Sequence, residues 1–420
     1  MAAAQALAEG GSSKSAQEIV ITGGVIIAEG GLNGAAGIGG GGHEGELKSI
    51  SITGGWIQAT GHGKFGTDTN GNANAIGGGA SKKPADDAAF QNTVIIDGYT
   101  KSGTVYGSAS LEENAEIPEG YTLTVPSGAT LTIPKGVTLT NNGTVIVENG
   151  GTLTNNGTIF NNGTISGTVS GSGKVVVDTY YLNTDNETTN QQAIPVTTGS
   201  TTWGGSAPDG GWYVVQGEVT ISSRVTVTGN VHLILADECS LTVNGGIDVS
   251  NDNSLTIYAQ SAGEGMGKLT ANAGWKRAAI GSEQSQAAGN ITICGGNITA
   301  TGGDSAAIGN VDGEAGTVTI YGGWVKATGG NGAPWENGGS GISGTVTIHG
   351  GHVEANGGNG GDGSNGGSGG AGIDGTVTIH GGHVEANGGN GGDGAYGGSG
   401  GAGIGGSFSA DSNGSAVLFA

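Results

Sequence analysis

Hydrophobic and polar residues alternate with a period of two through short runs that recur along the chain. In VTIHGGHVEA (346–355), Val346 and Ile348 fall on one side and Thr347 and His349 on the other; past the paired glycines, Val353 and Ala355 oppose His352 and Glu354. Such alternation marks half-buried β-strands. Two strands therefore meet at a glycine corner, a bend that residues carrying a Cβ adopt only at a cost. The unit occurs six times: EIVITGGVIIA (18–28), SISITGGWIQA (49–59), NITICGGNITA (290–300), TVTIYGGWVKA (317–327) and TVTIHGGHVEA at 345–355 and 376–386. The residue ahead of the glycines is Thr22, Thr53, Cys294, Tyr321, His349 and His380, so adjacent repeats measure 31 (53−22), 27 (321−294), 28 (349−321) and 31 (380−349) residues. A third apolar element follows the glycine-rich loops, as AGIG (36–39), AIGG (75–78), AAIG (306–309), AGID (371–374) and AGIG (402–405). Three short strands per repeat at these periods predict an all-β fold, a parallel β-helix or β-solenoid with coils of about 27–31 residues. Parallel crossovers default to the right-handed form.

The middle of the chain keeps the strands and shortens the repeat. Octads IPEGYTLT, VPSGATLT and IPKGVTLT fill 117–140, and the hexads NNGTIF (155–160) and NNGTIS (161–166) follow. Strands of three or four residues with P-x-G or N-N-G corners predict a narrower ladder of the same class, with asparagines able to stack at its corners. Residues 180–211 carry little periodicity and much Thr, Asn and Gly, which reads as a linker or excursion. From Trp212 strands recur every eight to ten residues and lead back into the glycine-rich units. The expected organisation is a glycine-rich array over 1–98, a narrow octad and hexad ladder over 99–179, the linker over 180–211 and a second module over 212–420.

Composition narrows the class further. The 420 residues include 95 glycines and 7 prolines, and only 11% are charged. Collagen is excluded because glycine does not recur every third residue along the chain, and the regular return of Val, Ile and Leu argues against disorder. With 35 acidic against 13 basic residues, the net charge of −22 would repel phosphate backbones and anionic lipid, so neither nucleic acid nor a membrane surface is an expected partner. No stretch reaches the ~18 apolar residues of a membrane helix. Cys239 and Cys294 read as small buried hydrophobes in a chain suited to an exported, extracellular or cell-surface location. The opening MAAAQALAEGGSSKSAQEIV lacks the pattern of a signal peptide and reads as the tail of an interrupted repeat, and the closing NGSAVLFA has no anchor or cap signature. Neighbouring modules of a longer chain are therefore expected partners.

The run GNVHLILADECSLTVNGGIDVSNDNSLTIYAQS (229–261), followed by AAIG, ITICGGNITATGG and AGIGG units, resembles the glycine-rich β-helical repeats of large surface proteins from anaerobic and gut bacteria. The IPEG octads and NNGT hexads look like the short ladders that join such modules. The likeness covers 19–98, 100–175 and 212–420. It implies a parallel β-helix of the carbohydrate-binding type, on a scaffold that also hosts adhesins, tailspikes, lyases and hydrolases. No catalytic motif of a lyase or glycosidase family carries over to this chain.

Four constellations can carry chemistry. The position after the paired glycines holds Val25, Trp56, Asn297, Trp324, His352 and His383. Alternation points this column away from the core, and exposed Trp beside His and Asn is the chemistry that stacks on sugar rings and hydrogen-bonds hydroxyls. Glu354 and Glu385 stand in equivalent places of adjacent repeats, ~4.8 Å apart at the backbone, close to the ~5–5.5 Å of a retaining glycosidase pair. His349 with His380, and His352 with His383 beside those glutamates, offer ligands for zinc or a similar ion. GGNGGDGSN (357–365) and GGNGGDGAY (388–396) resemble a calcium-binding nonapeptide, with Asp362 and Asp393 as ligands. Ser364 and Ala395 replace its apolar residue and no second copy follows in tandem, so both segments read first as flexible excursions. The expected function is a carbohydrate-binding or adhesive, structural segment of a bacterial surface protein, with a polysaccharide or glycoconjugate as its partner. The alternatives are a polysaccharide lyase or glycoside hydrolase and a purely architectural stalk or phage fibre; the residues lean against an enzyme.

Overall fold

The structure, a computed structural model, describes residues 16–31, 34–41, 45–62, 75–78, 87–205, 211–311, 316–405 and 416–418. The opening residues 1–15 and most of the closing NGSAVLFA lie outside them. The described residues form strands and no helix, and nearly every strand pairs in parallel with its neighbours. No described helix is long and apolar enough to cross a membrane. The chain divides into two compact units, Met1–Val177 and Asp178–Ala420.

In the second unit, equivalent strands of successive repeats lie side by side in register. Ahead of the paired glycines, Asn290–Ile293, Thr317–Ile320, Ile342–Ile348 and Ile373–Ile379 pair in sequence. After them, Lys268–Asn272, Asn297–Thr301, Trp324–Thr328, His352–Asn356 and His383–Asn387 do the same. The third element aligns Ile280, Ile308, Ile342 and Ile373. Alternation sends one residue in two inward: Ile293, Ile320, Ile348, Ile298, Val353 and Ala355 are fully buried. The second glycine of each of the six pairs has positive φ, from +87° at Gly323 and Gly351 to +97° at Gly296, so the corner needs the residue found there. Residues 188–195 and 202–204, inside the stretch expected to be a linker, are strands paired with Trp212–Val215 and Val225–Thr228. Thr and Asn density masked a pairing that only the partner strands reveal.

The first unit begins the same way, with Ala16–Ile21, Leu47–Ile52 and Asp87–Phe90 paired in parallel, and Val25–Glu29, Trp56–Thr60 and Thr93–Asp97 beside them. The chain then reverses. Thr93–Asp97 pairs antiparallel with Ser102–Tyr106, and the Asp97 carboxylate accepts hydrogen bonds from the Tyr99 and Thr100 amides in the turn. The octads and hexads continue that sheet from the other strand of the hairpin. Their corners are turns in which Tyr121, Ala129 and Val137 donate to Pro118, Pro126 and Pro134, with Gly120, Gly128 and Gly136 at positive φ. Registers shorten from 24 residues at Ala115↔Leu139 (139−115) to 20 at Thr138↔Thr158 (158−138) and 16 at Leu153↔Val169 (169−153). The buried Asn141 donates to Asn161 Oδ1 at 2.6 Å, the corner ladder that the repeated asparagines suggested.

This reversal gives one sheet two cores. Ile57 and Ala59 face a cluster with Ile50 and Ile52, while Trp56, Val94 and Ile96 face the opposite cluster with Val105, Leu123 and Val145.

Candidate functional site

The column after the paired glycines is continuous in the second unit: Lys268, Asn297, Trp324, His352 and His383 are in register. All but the core-facing alternates point outward. Trp324 is 57% exposed, His383 is exposed, and Asn297 and His352 are half-buried. The rings stack along the column, Trp324 on His352 at 5.0 Å and His352 on His383 at 4.6 Å between centroids. One face of Trp324 is thus covered by imidazole while the other looks toward Asn297. Ahead of the glycines a second column stacks Tyr321 on His349 at 4.7 Å and His349 on His380 at 4.8 Å.

Trp56 occupies the same position in its repeat and meets a different fate. It is 3% exposed, because the face it shares with Val94 becomes the core of the octad ladder. The expectation that Trp56 stands open for a ligand is therefore corrected. Val25, in register with Trp56, is half-buried, and Ile27 on the same strand is 70% exposed. These residues and Gln58 floor a groove of about 940 Å³ walled by Glu112, Glu113 and Glu116. Glu112 accepts a hydrogen bond from the Gly24 amide at 3.0 Å, which pins the wall to the floor.

Two positions further along the outward column run Thr299, Lys326, Glu354 and Glu385. Lys326 Nζ reaches both Glu354 oxygens, at 2.8 and 3.0 Å, and Asn356 Nδ2 donates to the same carboxylate. These hydrogen bonds hold the Glu354 carboxyl below its ordinary range, the Lys326 contact contributing most. A glycosidase acid needs the opposite, a carboxyl kept protonated. Glu385 is exposed and sits 2.9 Å from His383 Nε2. The two carboxylates are therefore partnered separately, one with lysine and one with imidazole.

The calcium candidates belong to a feature that alternation does not reveal. Residues 357–371 read GGN-GGD-GSN-GGS-GGA, a local three-residue period that recurs at 388–402. Three residues per turn without internal hydrogen bonds is the habit of an extended polyproline II-type strand. Here the two glycine arms of these repeats hydrogen-bond to each other and to the repeats on either side. Gly370 donates to Gly358, Gly358 to Gly339, and Gly389 to Gly370, each at 2.8 Å. A Cβ on Gly358 would overlap the Gly330 carbonyl, so glycine is required by close approach. The segments read as flexible excursions are hydrogen-bonded layers instead. Asp362 Oδ1 accepts from the Asp393 amide at 2.8 Å, as Asn359 does from Asn390 and Asn331 from Asn359. Asp362 and Asp393 thus continue a side-chain-to-backbone ladder. Among the described residues no group of three His, Cys, Asp or Glu side chains converges as metal ligands.

At the tips of these arms stand two aromatic residues that the repeat alignment passes over. Trp335 is 65% exposed and Tyr396 78% exposed. Their signal was present as aromatic residues interrupting glycine runs, in PWEN (334–337) and GAYG (394–397). Cys239 is buried and Cys294 half-buried, both are free, and burial pushes each thiol up to about 11. No protein-family model, curated protein sequence or solved structure matches the chain.

Proposed function

We propose that the chain is a right-handed parallel β-helix segment of an extracellular bacterial surface protein, and that its second unit binds polysaccharide. The observation that carries this reading is the outward register of Asn297, Trp324, Lys326 and Glu354, in which a half-open indole is flanked by hydrogen-bonding groups on a rigid sheet. Sugars present an apolar ring face and a rim of hydroxyls, and such a surface meets both. The regular strand spacing sets Asn297, Trp324, His352 and His383 at even intervals along the stack. The resemblance to glycine-rich β-helical surface proteins supports the same reading.

The test is a glycan array and pull-down with plant and mucin polysaccharides, comparing the native chain with Trp324→Ala. Binding measurably weakened by the substitution is the expected outcome; absence of binding to every glycan class would remove the reading. A second reading, an architectural stalk, is favoured by the ring columns, whose members stack on one another and need no ligand. It predicts no glycan binding and an unchanged chain length in solution after Trp324→Ala. An enzyme acting through Glu354 and Glu385 is the weakest reading, because the two carboxylates are paired away from each other, Glu354 with Lys326 and Glu385 with His383.

A further inference from the structure

Trp335 is held in a conformation that its side chain disfavours. Its φ is +69°, a region that bulky residues seldom occupy and that persists where the surroundings impose it. The surroundings here are specific. The Trp335 amide donates to the Asp362 carbonyl at 3.2 Å, and the pyrrole edge of the indole rests on Gly363, where any Cβ would overlap the ring. The next level is equally fixed: Tyr396 donates to the Ser364 carbonyl at 3.1 Å and accepts from Gly366 at 2.9 Å, with Asn365 and Tyr396 in parallel register. Unlike Trp324, neither ring is stacked on another aromatic ring among the described residues, and both are more exposed than Trp324. They stand two levels apart, roughly 10 Å along the stack at ordinary backbone spacing.

We propose that Trp335 and Tyr396, fixed at the tips of the glycine arms, form a stacking platform for the pyranose rings of an uncharged polysaccharide. Free aromatic faces at fixed spacing take the apolar faces of two non-adjacent sugars in a short oligosaccharide span. Asn365 and Ser364, both exposed between the rings, supply hydrogen-bonding groups. The choice of an uncharged polymer follows from charge. Glu336 follows Trp335 in the chain, Asp362 and Asp393 are exposed along the same arms, and residues 327–420 contain no lysine or arginine, so a polyuronate would find no permanent cation there. The platform deepens the polysaccharide-binding reading and rests on it, while placing ring stacking on the arms, apart from the Trp324 column.

The deciding experiment is affinity electrophoresis of the full chain in gels cast with xylan or glucomannan and, separately, with polygalacturonate. Trp335→Gly removes the ring and suits the positive φ, so its fold is retained; Trp335→Tyr keeps a ring; Tyr396→Ala and Trp324→Ala complete the set. The platform predicts retardation by a neutral polymer that falls at least tenfold in Trp335→Gly with Tyr396→Ala, survives in Trp335→Tyr, and is reduced less by Trp324→Ala. Neutral-polymer retardation that survives loss of both tip rings but disappears in Trp324→Ala would overturn the platform and leave the column as the binding face. Stronger retardation by polygalacturonate would overturn the uncharged class. Absence of retardation in every gel would overturn the platform together with the reading beneath it.

Discussion

Trp56 and Trp324 follow the same paired glycines, occupy the same place in the same repeat, and are 3% and 57% exposed. Local sequence does not separate them, since each opens a five-residue strand that alternates inward and outward residues. What separates them is the next strand of the column. In the first unit Trp56 is followed by Val94, and the hairpin at 93–106 turns the chain so that this face becomes a second core. In the second unit Trp324 is followed by His352 and then His383, and the column stays polar and open. A repeat position therefore carries an orientation relative to the sheet, and the column's later members decide whether that face meets water.

The contrast is sharpest in stability. Trp56→Ala empties a well-packed site and is expected to cost about 3–5 kcal/mol. Trp324→Ala changes an open surface and should stay within about 0.5 kcal/mol. Denaturation of the full chain, with hydrogen exchange at Trp56–Thr60 and Trp324–Thr328 reading each unit, checks both. Equal effects would break the comparison.

A smaller effect separates two glycines in the arms. Gly358→Ala forces a Cβ against the Gly330 backbone and should destabilise the arms by about 1–3 kcal/mol. At Gly397 the nearest atom to an added Cβ lies 3.7 Å away, and alanine there should be tolerated. Exchange protection of the arm amides is the readout. In the hexad part of the ladder, Asn155→Ala leaves the Lys174 carbonyl and the Gly157 amide without their partner and is expected to cost about 1–3 kcal/mol, read from the denaturation midpoint of the first unit.

The smallest expected effect concerns the outward face alone. Lys326→Met should move the titration of Glu354 up toward that of an ordinary glutamate, measured by carbon-13 NMR of its carboxyl. Because the folded carboxyl is held low, its stabilising pairing is present above the ordinary glutamate range and is lost as pH falls through the folded value. Lys326 is exposed, so the change in stability is small.

The strands, the glycine corners and the inward Ile and Val positions were legible because period-two alternation and positive-φ corners are local properties. The cover over Trp56 was not, because it depends on where the chain goes after the turn at Asp97. The glycine arms were misread for a different reason. Composition equates glycine with flexibility, whereas Gly330, Gly358 and Gly389 are needed because neighbouring backbones approach too closely for any side chain. The three-residue spacing of Asn359, Asp362, Asn365, Ser368 and Ala371 was the visible signal of that packing. Of the candidate ligand-binding residues, Asn297, Trp324, His352 and His383 share one outward column, while Trp56 lies in a core.

The central claim, that Trp324 and Trp335 of the second unit meet polysaccharide while the covered Trp56 and Trp203 do not, is tested most directly by following the indole N–H signals of the six tryptophans by NMR as a neutral polysaccharide is added. The account predicts that the signals of Trp324 and Trp335 shift or broaden and that those of Trp56 and of the fully buried Trp203 stay in place. Perturbation of Trp56, or silence from all six at saturating polysaccharide, would contradict it.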